Sequence, residues 1–305
     1  MKKIHKYIAV PVACMLLASC EKEIVVDVPE YEPKLVLNSY MLTGDTVYVS
    51  VGKSVGILEY KNGKDLSIAN ATVILRADGQ PDDVLEYDVV AGAYRSHTVA
   101  QVGKTYTLAA TAPGFAQATA STTAPGVVAI ERIQRIARAK VDIDGNPQDE
   151  LRIVFKDPPQ KGDYYILSIN KPEGVDTLFY SRAADCVNTT DASIESVHDE
   201  SIDVNTCLPG DAIFFRDVLF NGMEKELRLF VPSGYVGPDP VFGDSTFAEV
   251  QLYHVTEDYF RYRKSYRFAA DNEGNPFAEP TNVYTNVKNG YGIFSVMSVD
   301  VMQVK

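Results

Sequence analysis

Four cysteines and four histidines are the scarce reactive side chains of this sequence, set against 41 acids. His97, His198 and His254 stand far apart, and none belongs to a His-Glu-x-x-His zinc motif. A serine nucleophile on a strand-to-helix elbow would need Gly-x-Ser-x-Gly, which is absent. Glycoside hydrolysis needs two carboxylates across a cleft, but so many acids allow any pair to be named, and the count carries no signal. Asp142-Ile-Asp144-Gly-Asn146 alternates oxygen ligands as a calcium loop does. An EF-hand wants its glycine sixth and a bidentate Glu twelfth, whereas Gly145 is fourth, so a hairpin turn is the simpler reading. Asp271 to Asn275 resembles a helix exit, with Gly274 as its breaker. These residues point to no catalytic group, metal or cofactor, and to a protein that binds rather than catalyses.

Cys20 is different, because its neighbours specify its chemistry. Leu17-Ala18-Ser19-Cys20 resembles the lipobox at which a bacterial export signal is cut and the cysteine thiol is lipidated. Lys2, Lys3 and Lys6 form a basic start, and Tyr7 to Ala18 is an apolar run too short to span a bilayer. Residues 1–19 are therefore expected to be a signal peptide, and residues 20–33, with Pro29 and Pro33, a lipidated tether. The signal carries three Lys and no acid, which leaves 26 basic and 41 acidic side chains, a net charge of −15. That balance excludes nucleic acid as a partner and gives no basic patch for a membrane, so attachment must come through the lipid. In an oxidising envelope compartment Cys186 and Cys207 can close a disulfide around a polar segment rich in Asp, Ser, Thr and Asn. A metal pair with His198, Asp199 or Glu200 is the alternative, although no second closely spaced pair completes a tetrahedral set.

The elements that must position these groups read as mainly β. Leu35 and Leu37, then Val47, Val49 and Val51, then Ala71, Val73 and Leu75, recur with period two, separated by Gly-, Pro- and Asp-rich turns. Leu85, Tyr87 and Val89, then Tyr106, Leu108 and Ala110, and a small-residue strand through Ala118 and Ala120 continue the pattern. Residues 34–123 are expected to form an immunoglobulin-like β-sandwich. Ala124-Pro125-Gly126 marks the boundary to a β-rich, sandwich-like domain over 127–305. There a hairpin turns at Asp144-Gly145-Asn146, and Tyr165, Leu167 and Ile169 form a buried strand, as do Leu227, Leu229 and Val231. Arg132, Arg135, Arg138 and Lys140 would line one strand, as edge protection or as a face for an acidic partner.

The one late helix is expected at about 257–270. Thr256 is its N-cap, Glu257 and Asp258 occupy its first turn, and Arg263, Lys264 and Arg267 lie toward its other end. Tyr259, Tyr262 and Tyr266 share one face, which can pack on a sheet or line a groove for a partner.

Asn275-Pro-Phe-Ala-Glu-Pro-Thr-Asn-Val-Tyr-Thr-Asn286 followed by Gly290-Tyr-Gly-Ile-Phe294, with Cys20-Glu-Lys-Glu23 and Tyr31-Glu-Pro-Lys-Leu-Val36, resembles an uncharacterised family of Bacteroidetes outer-membrane lipoproteins, a domain of unknown function. Such lipoproteins are often encoded beside TonB-dependent receptors. The resemblance implies a surface-facing, lipid-anchored accessory protein of nutrient uptake, which binds substrate or braces the receptor. Tandem sandwiches also suit a surface adhesin or fimbria-like subunit, which would need an open edge strand.

Overall fold

Alternation decides which residues face inward, and the burial along each strand follows it. The computed structural model describes residues 31–305 apart from 57–58, 61–63, 176–177, 196–206, 238–246 and 274–280. Residues 1–30, with the lipobox, Cys20 and most of the tether, fall outside the described residues, as do His198, Asp199 and Glu200. The stretch Pro33–Lys305 is one compact unit.

Its first part supplies β1 (Leu35–Leu42), β2 (Thr46–Lys53), β3 (Thr72–Ala77), β4 (Asp83–Val84), β5 (Glu86–Asp88), β6 (Ala93–Val99), β7 (Thr105–Thr111) and β8 (Ala118–Thr123). The hairpin β9 (Ile130–Val141) and β10 (Pro147–Lys156) follows, then β11 (Tyr164–Val175), β12 (Leu178–Ala183), β13 (Asn188–Thr189), β14 (Ile194–Glu195) and β15 (Ile213–Arg216). The chain ends with β16 (Glu224–Pro232), β17 (Glu249–Val255), α1 (Glu257–Asp271) and β18 (Gly290–Gln303).

A ten-stranded sheet runs β14-β15-β11-β17-β18-β1-β2-β6-β5, with β12 paired to β11. Two four-stranded sheets, β4-β3-β7-β8 and β13-β16-β10-β9, form the second layer. The protein is thus mainly β, sandwich-like, with one late helix among the described residues. β18 explains the layering. Its Phe294 and Val296 enter the core made by the first small sheet, while Met302 and Val304, of the same parity, join the core of the second. Ile293 and Met297 face the other way, against α1.

One core draws mainly on residues up to Ala124 and the other begins at Val128, although Val287, Phe294 and Val296 join the first. The backbone does not divide there. β18 pairs in parallel with β1 from Leu35↔Gly290 to Leu42↔Met297, and on its other edge runs antiparallel to β17. The N-terminal strands β1, β2, β6 and β5 therefore continue a sheet whose next strand, β18, comes from the C-terminus. Elsewhere the differences are local: Val89, expected inward, is 82% exposed at a turn, and α1 continues to Asp271, which leaves no basic residue in its last turn.

Cys186 and Cys207 are joined, with their Cα atoms 4.8 Å apart. Val187 and Leu208 beside them exchange backbone hydrogen bonds of 2.7 and 2.8 Å. The crosslink closes a sequence separation of 21 residues. Chain-entropy arguments put its contribution at about 3 kcal/mol. Paired Cys186→Ser and Cys207→Ser substitutions are expected to lower unfolding free energy by that amount in urea, and reducing agent should do the same to the unaltered protein while leaving the doubly substituted one unchanged.

Candidate functional site

The ten-stranded sheet has two faces, and α1 covers only part of the one opposite the small sheets. Thr256 starts the helix directly after β17, and its hydroxyl accepts the Tyr259 N–H at 3.2 Å. Tyr259 and Phe260 pack into Ile166, Phe214, Val255, Ile293 and Met297. Beyond Tyr259 the sheet face stays open among the described residues. A groove of about 540 Å³ remains there, a volume typical of ligand pockets.

Five strands, the loop residue Asp211 and the helix build this groove, with Ala183 from β12. Tyr40 and Leu42 come from β1, Ile166, Ser168 and Asn170 from β11, Gln251 and Tyr253 from β17, Met297 from β18, and Tyr259 and Arg263 from α1. Four of the polar side chains are joined. Asn170 Nδ2 donates to Ser168 Oγ at 2.6 Å and to Gln251 Oε1 at 3.2 Å, and the Tyr253 hydroxyl donates to the same Oε1 at 2.7 Å. Gln251 thus spends its carbonyl on the network, and its amide nitrogen remains a donor. Burial pushes the Tyr253 and Tyr259 hydroxyls up from their ordinary range, so both stay neutral.

The expected tyrosine face is a ladder. Tyr40 and Tyr259 lie 6.0 Å apart, Tyr259 and Tyr262 6.5 Å, and Tyr262 and Tyr266 stack at 6.0 Å. Tyr259 is a buried wall of the groove, Tyr262 is half-buried and Tyr266 is 55% exposed. Neither of the last two lines the groove. The alternating residues of β11 carried a signal for the rest. Its odd positions Tyr165, Leu167 and Ile169 are core, and on the even face Ile166 gives way to Ser168 and Asn170, as an antiparallel strand with one open face allows.

The signature residues near the C-terminus fix the helix beside it. Asn286 Oδ1 accepts the Phe294 N–H at 3.0 Å and its Nδ2 donates to the Phe294 carbonyl at 2.8 Å, as a neighbouring strand would. The Tyr284 hydroxyl donates to Asp258 in the first helical turn. Burial, then that carboxylate, push the Tyr284 hydroxyl up to about 12.

A family model described as "Domain of unknown function (DUF4249)" matches residues 21–303. The chain belongs to the DUF4249 family. No curated protein matches it. The DUF4249 match spans both layers and α1, so the groove lies wholly inside the family's domain.

A second cluster was not legible as a set. Asp157, Asp163 and Asp217 bring carboxylate oxygens within 4.8 Å of one another, and of the described residues they are the set that could offer oxygens to a hard cation. They also pin loops. Asp157 accepts the Tyr165 hydroxyl at 2.6 Å and the Gly222 N–H at 2.8 Å, and Asp217 accepts the Gly162 N–H at 2.8 Å. His254 Nδ1 lies 2.9 Å from the Gly126 carbonyl, which can only accept, so that nitrogen carries a proton. Its Nε2 meets Asp163 Oδ1 at 2.9 Å, so one further proton lies between them. The fold pairs His254, read from the sequence as standing apart, with Asp163. Asp157 and Asp217 are 2% and 3% exposed, which suits a structural pin more than a place where substrate reacts.

Burial pushes the Asp163 carboxyl up, against the attraction of His254. A carboxyl that titrates higher in the folded chain than in the unfolded one favours folding fully at low pH, and that contribution is lost as pH rises through the folded value. Asn at position 163 keeps the size and a hydrogen-bonding group beside His254 Nε2 without the carboxylate charge. Asp163→Asn is therefore expected to raise the melting temperature at pH 7 and to leave it unchanged near pH 3, as checked by thermal denaturation across that range.

Proposed function

We propose that this DUF4249 chain is a lipid-anchored outer-membrane binding protein, displayed at the cell surface, that holds substrate for a TonB-dependent uptake receptor. The observation that carries the binding part is the groove: aromatic and apolar walls with a few converging polar groups, built from five strands and one helix. The lipobox-like Leu17 to Cys20 supports the anchor, and the likeness of both chain ends to receptor-associated lipoproteins supports the partner. In this reading Cys20 carries the lipid, the acidic body stays off the anionic surface, and Tyr262 and Tyr266 are the aromatic contacts open to the receptor.

The adhesin reading needs an open edge strand that accepts a strand from another copy. The longest edge, β9, has a shifted register at two places, carries Arg132, Arg138 and Lys140 on exposed positions, and turns Arg138 into a left-handed conformation at φ 50°. Such an edge discourages strand addition. The small-sheet edge β8 is partly capped, since Thr119 and Lys288 exchange backbone hydrogen bonds. These features favour substrate binding over polymerisation.

The test is a mild-detergent pull-down of the tagged protein from its own membrane, alongside a Cys20→Ser form. A stoichiometric TonB-dependent receptor with the lipidated form is the expected result. Recovery alone, or only with further copies of itself, would overturn the uptake role.

A further inference from the structure

We infer that the groove takes a small organic carboxylate with an apolar or aromatic body, the carboxylate on Arg263. This rests on reading the groove as a ligand site. Three of the four cations of α1 are paired with carboxylates. Lys264 pairs with Glu195 at 2.8 Å, Arg267 with Asp211 at 2.9 Å, and Arg261 with Glu257 at 3.8 Å while covering the Tyr284 ring. Arg263 alone has no carboxylate partner among the described residues, and it is the one that lines the groove.

An unpaired arginine in this place is unusual for physical reasons. The chain as a whole carries −12, so acid is abundant for pairing. Arg263 is half-buried and adjoins the Tyr259 hydroxyl, a neutral group that accepts a hydrogen bond without cancelling charge. The groove's own acid, Asp211, is already paired with Arg267. What remains is one positive charge in a partly desolvated, tyrosine-walled groove.

One charge matches a monoanion. A guanidinium presents a planar fork of donors that fits a carboxylate with two parallel hydrogen bonds. A phosphate dianion would need a second cation, and the remaining lining offers none. A neutral ligand would leave the guanidinium desolvated without compensation. Tyr40, Leu42, Tyr259 and Met297 supply the surface for an apolar body, and the Gln251 amide nitrogen supplies a donor to a polar substituent on it.

The test uses the full protein in detergent and matched probes: 3-phenylpropanoate against 3-phenylpropanamide, and indole-3-acetate against indole-3-acetamide, by calorimetry and ligand-observed NMR. The acid of at least one pair is expected to bind at least tenfold more tightly than its amide. Arg263→Met should erase that preference, and Arg263→Lys should keep part of it. Tyr40→Ala should weaken acid and amide alike. If acid and amide bind equally, the groove stands as a ligand site and the carboxylate assignment fails. That assignment fails equally if the preference persists in Arg263→Met. If no probe binds at millimolar concentration, the carboxylate class and the groove reading both fall. The comparison within each pair needs no substitution, so a poorly folded variant does not prevent a result.

Discussion

Replacement of Asp149 by Ala is expected to cost about 3–5 kcal/mol of folding stability at neutral pH, as removal of one partner from a buried ion pair does. Asp149 lies on β10 with no solvent exposure. Its Oδ2 accepts from Arg135 at 2.7 Å, and its Oδ1 accepts the Arg138 N–H at 2.9 Å and the Ser233 hydroxyl. The carboxylate thus ties the β9 edge, at the irregular point where Arg138 takes a left-handed conformation, to the turn after β16. With Ala there, the Arg138 N–H and the Arg135 guanidinium lose their acceptor together. Of Arg132, Arg135, Arg138 and Lys140, expected to protect the edge or to face an acidic partner, Arg135 is committed to Asp149.

The pH dependence runs opposite to that of Asp163. Burial alone would push the Asp149 carboxyl up, but the Arg138 N–H, Ser233 and Arg135 outweigh it and hold the carboxyl below its ordinary value. A depressed folded value means stability that is present above about pH 4, the unfolded aspartate range, and lost as pH falls through the folded value. The gap between the unaltered protein and Asp149→Ala, measured by urea unfolding, should therefore be widest near pH 7 and shrink toward pH 2. A gap independent of pH would mean that lost packing, and not the carboxylate, accounts for the effect.

What could be seen in the sequence was local. Thr256 with two acids behind it announced a helix start, Asp142 to Asn146 a hairpin, and period-two runs the strands, because each signal is written in adjacent residues. The disulfide followed from cysteine number and surroundings. The pairing of β1 with β18 was not visible, because about 250 residues separate the partners and nothing in either strand names the other. The groove was hidden for the same reason, since its lining comes from six elements that meet only once that sheet closes. The Asp157, Asp163, Asp217 and His254 cluster likewise joins the end of β10, the start of β11, the turn after β15 and the end of β17. Tyr259 illustrates the limit within one helix. Spacing placed it on the face with Tyr262 and Tyr266, but only the sheet decides that it is buried while Tyr266 is not.

The largest effect is expected at Gly292, where Ala should leave little folded protein. Gly292 sits at φ +105°, a conformation that L side chains rarely adopt, and a Cβ there would lie 2.1 Å from the Leu37 carbonyl oxygen of β1. The clash is with backbone inside the parallel β1–β18 pairing, so relief requires the two strands to move apart. Backbone strain alone costs on the order of 1–3 kcal/mol, and forced separation in a packed core adds a comparable amount. Such a sum approaches the whole stability of an ordinary domain. Gly290 is related, since its Cβ would come 2.6 Å from the Leu35 carbonyl oxygen. The Gly290-Tyr-Gly292 spacing is what lets β18 lie against β1, and through that pairing the groove acquires Tyr40 and Leu42 on one side and Met297 on the other. Gly79→Ala is the control: it has a positive φ of 75° but nothing within 4 Å of its Cβ, and should cost only about 1 kcal/mol. Soluble yield and urea midpoints of the two variants separate the explanations. Equal, mild losses would show that conformation alone matters at Gly292, whereas collapse of Gly292→Ala beside a nearly normal Gly79→Ala would show that the close approach of β1 holds the fold, and the groove, together.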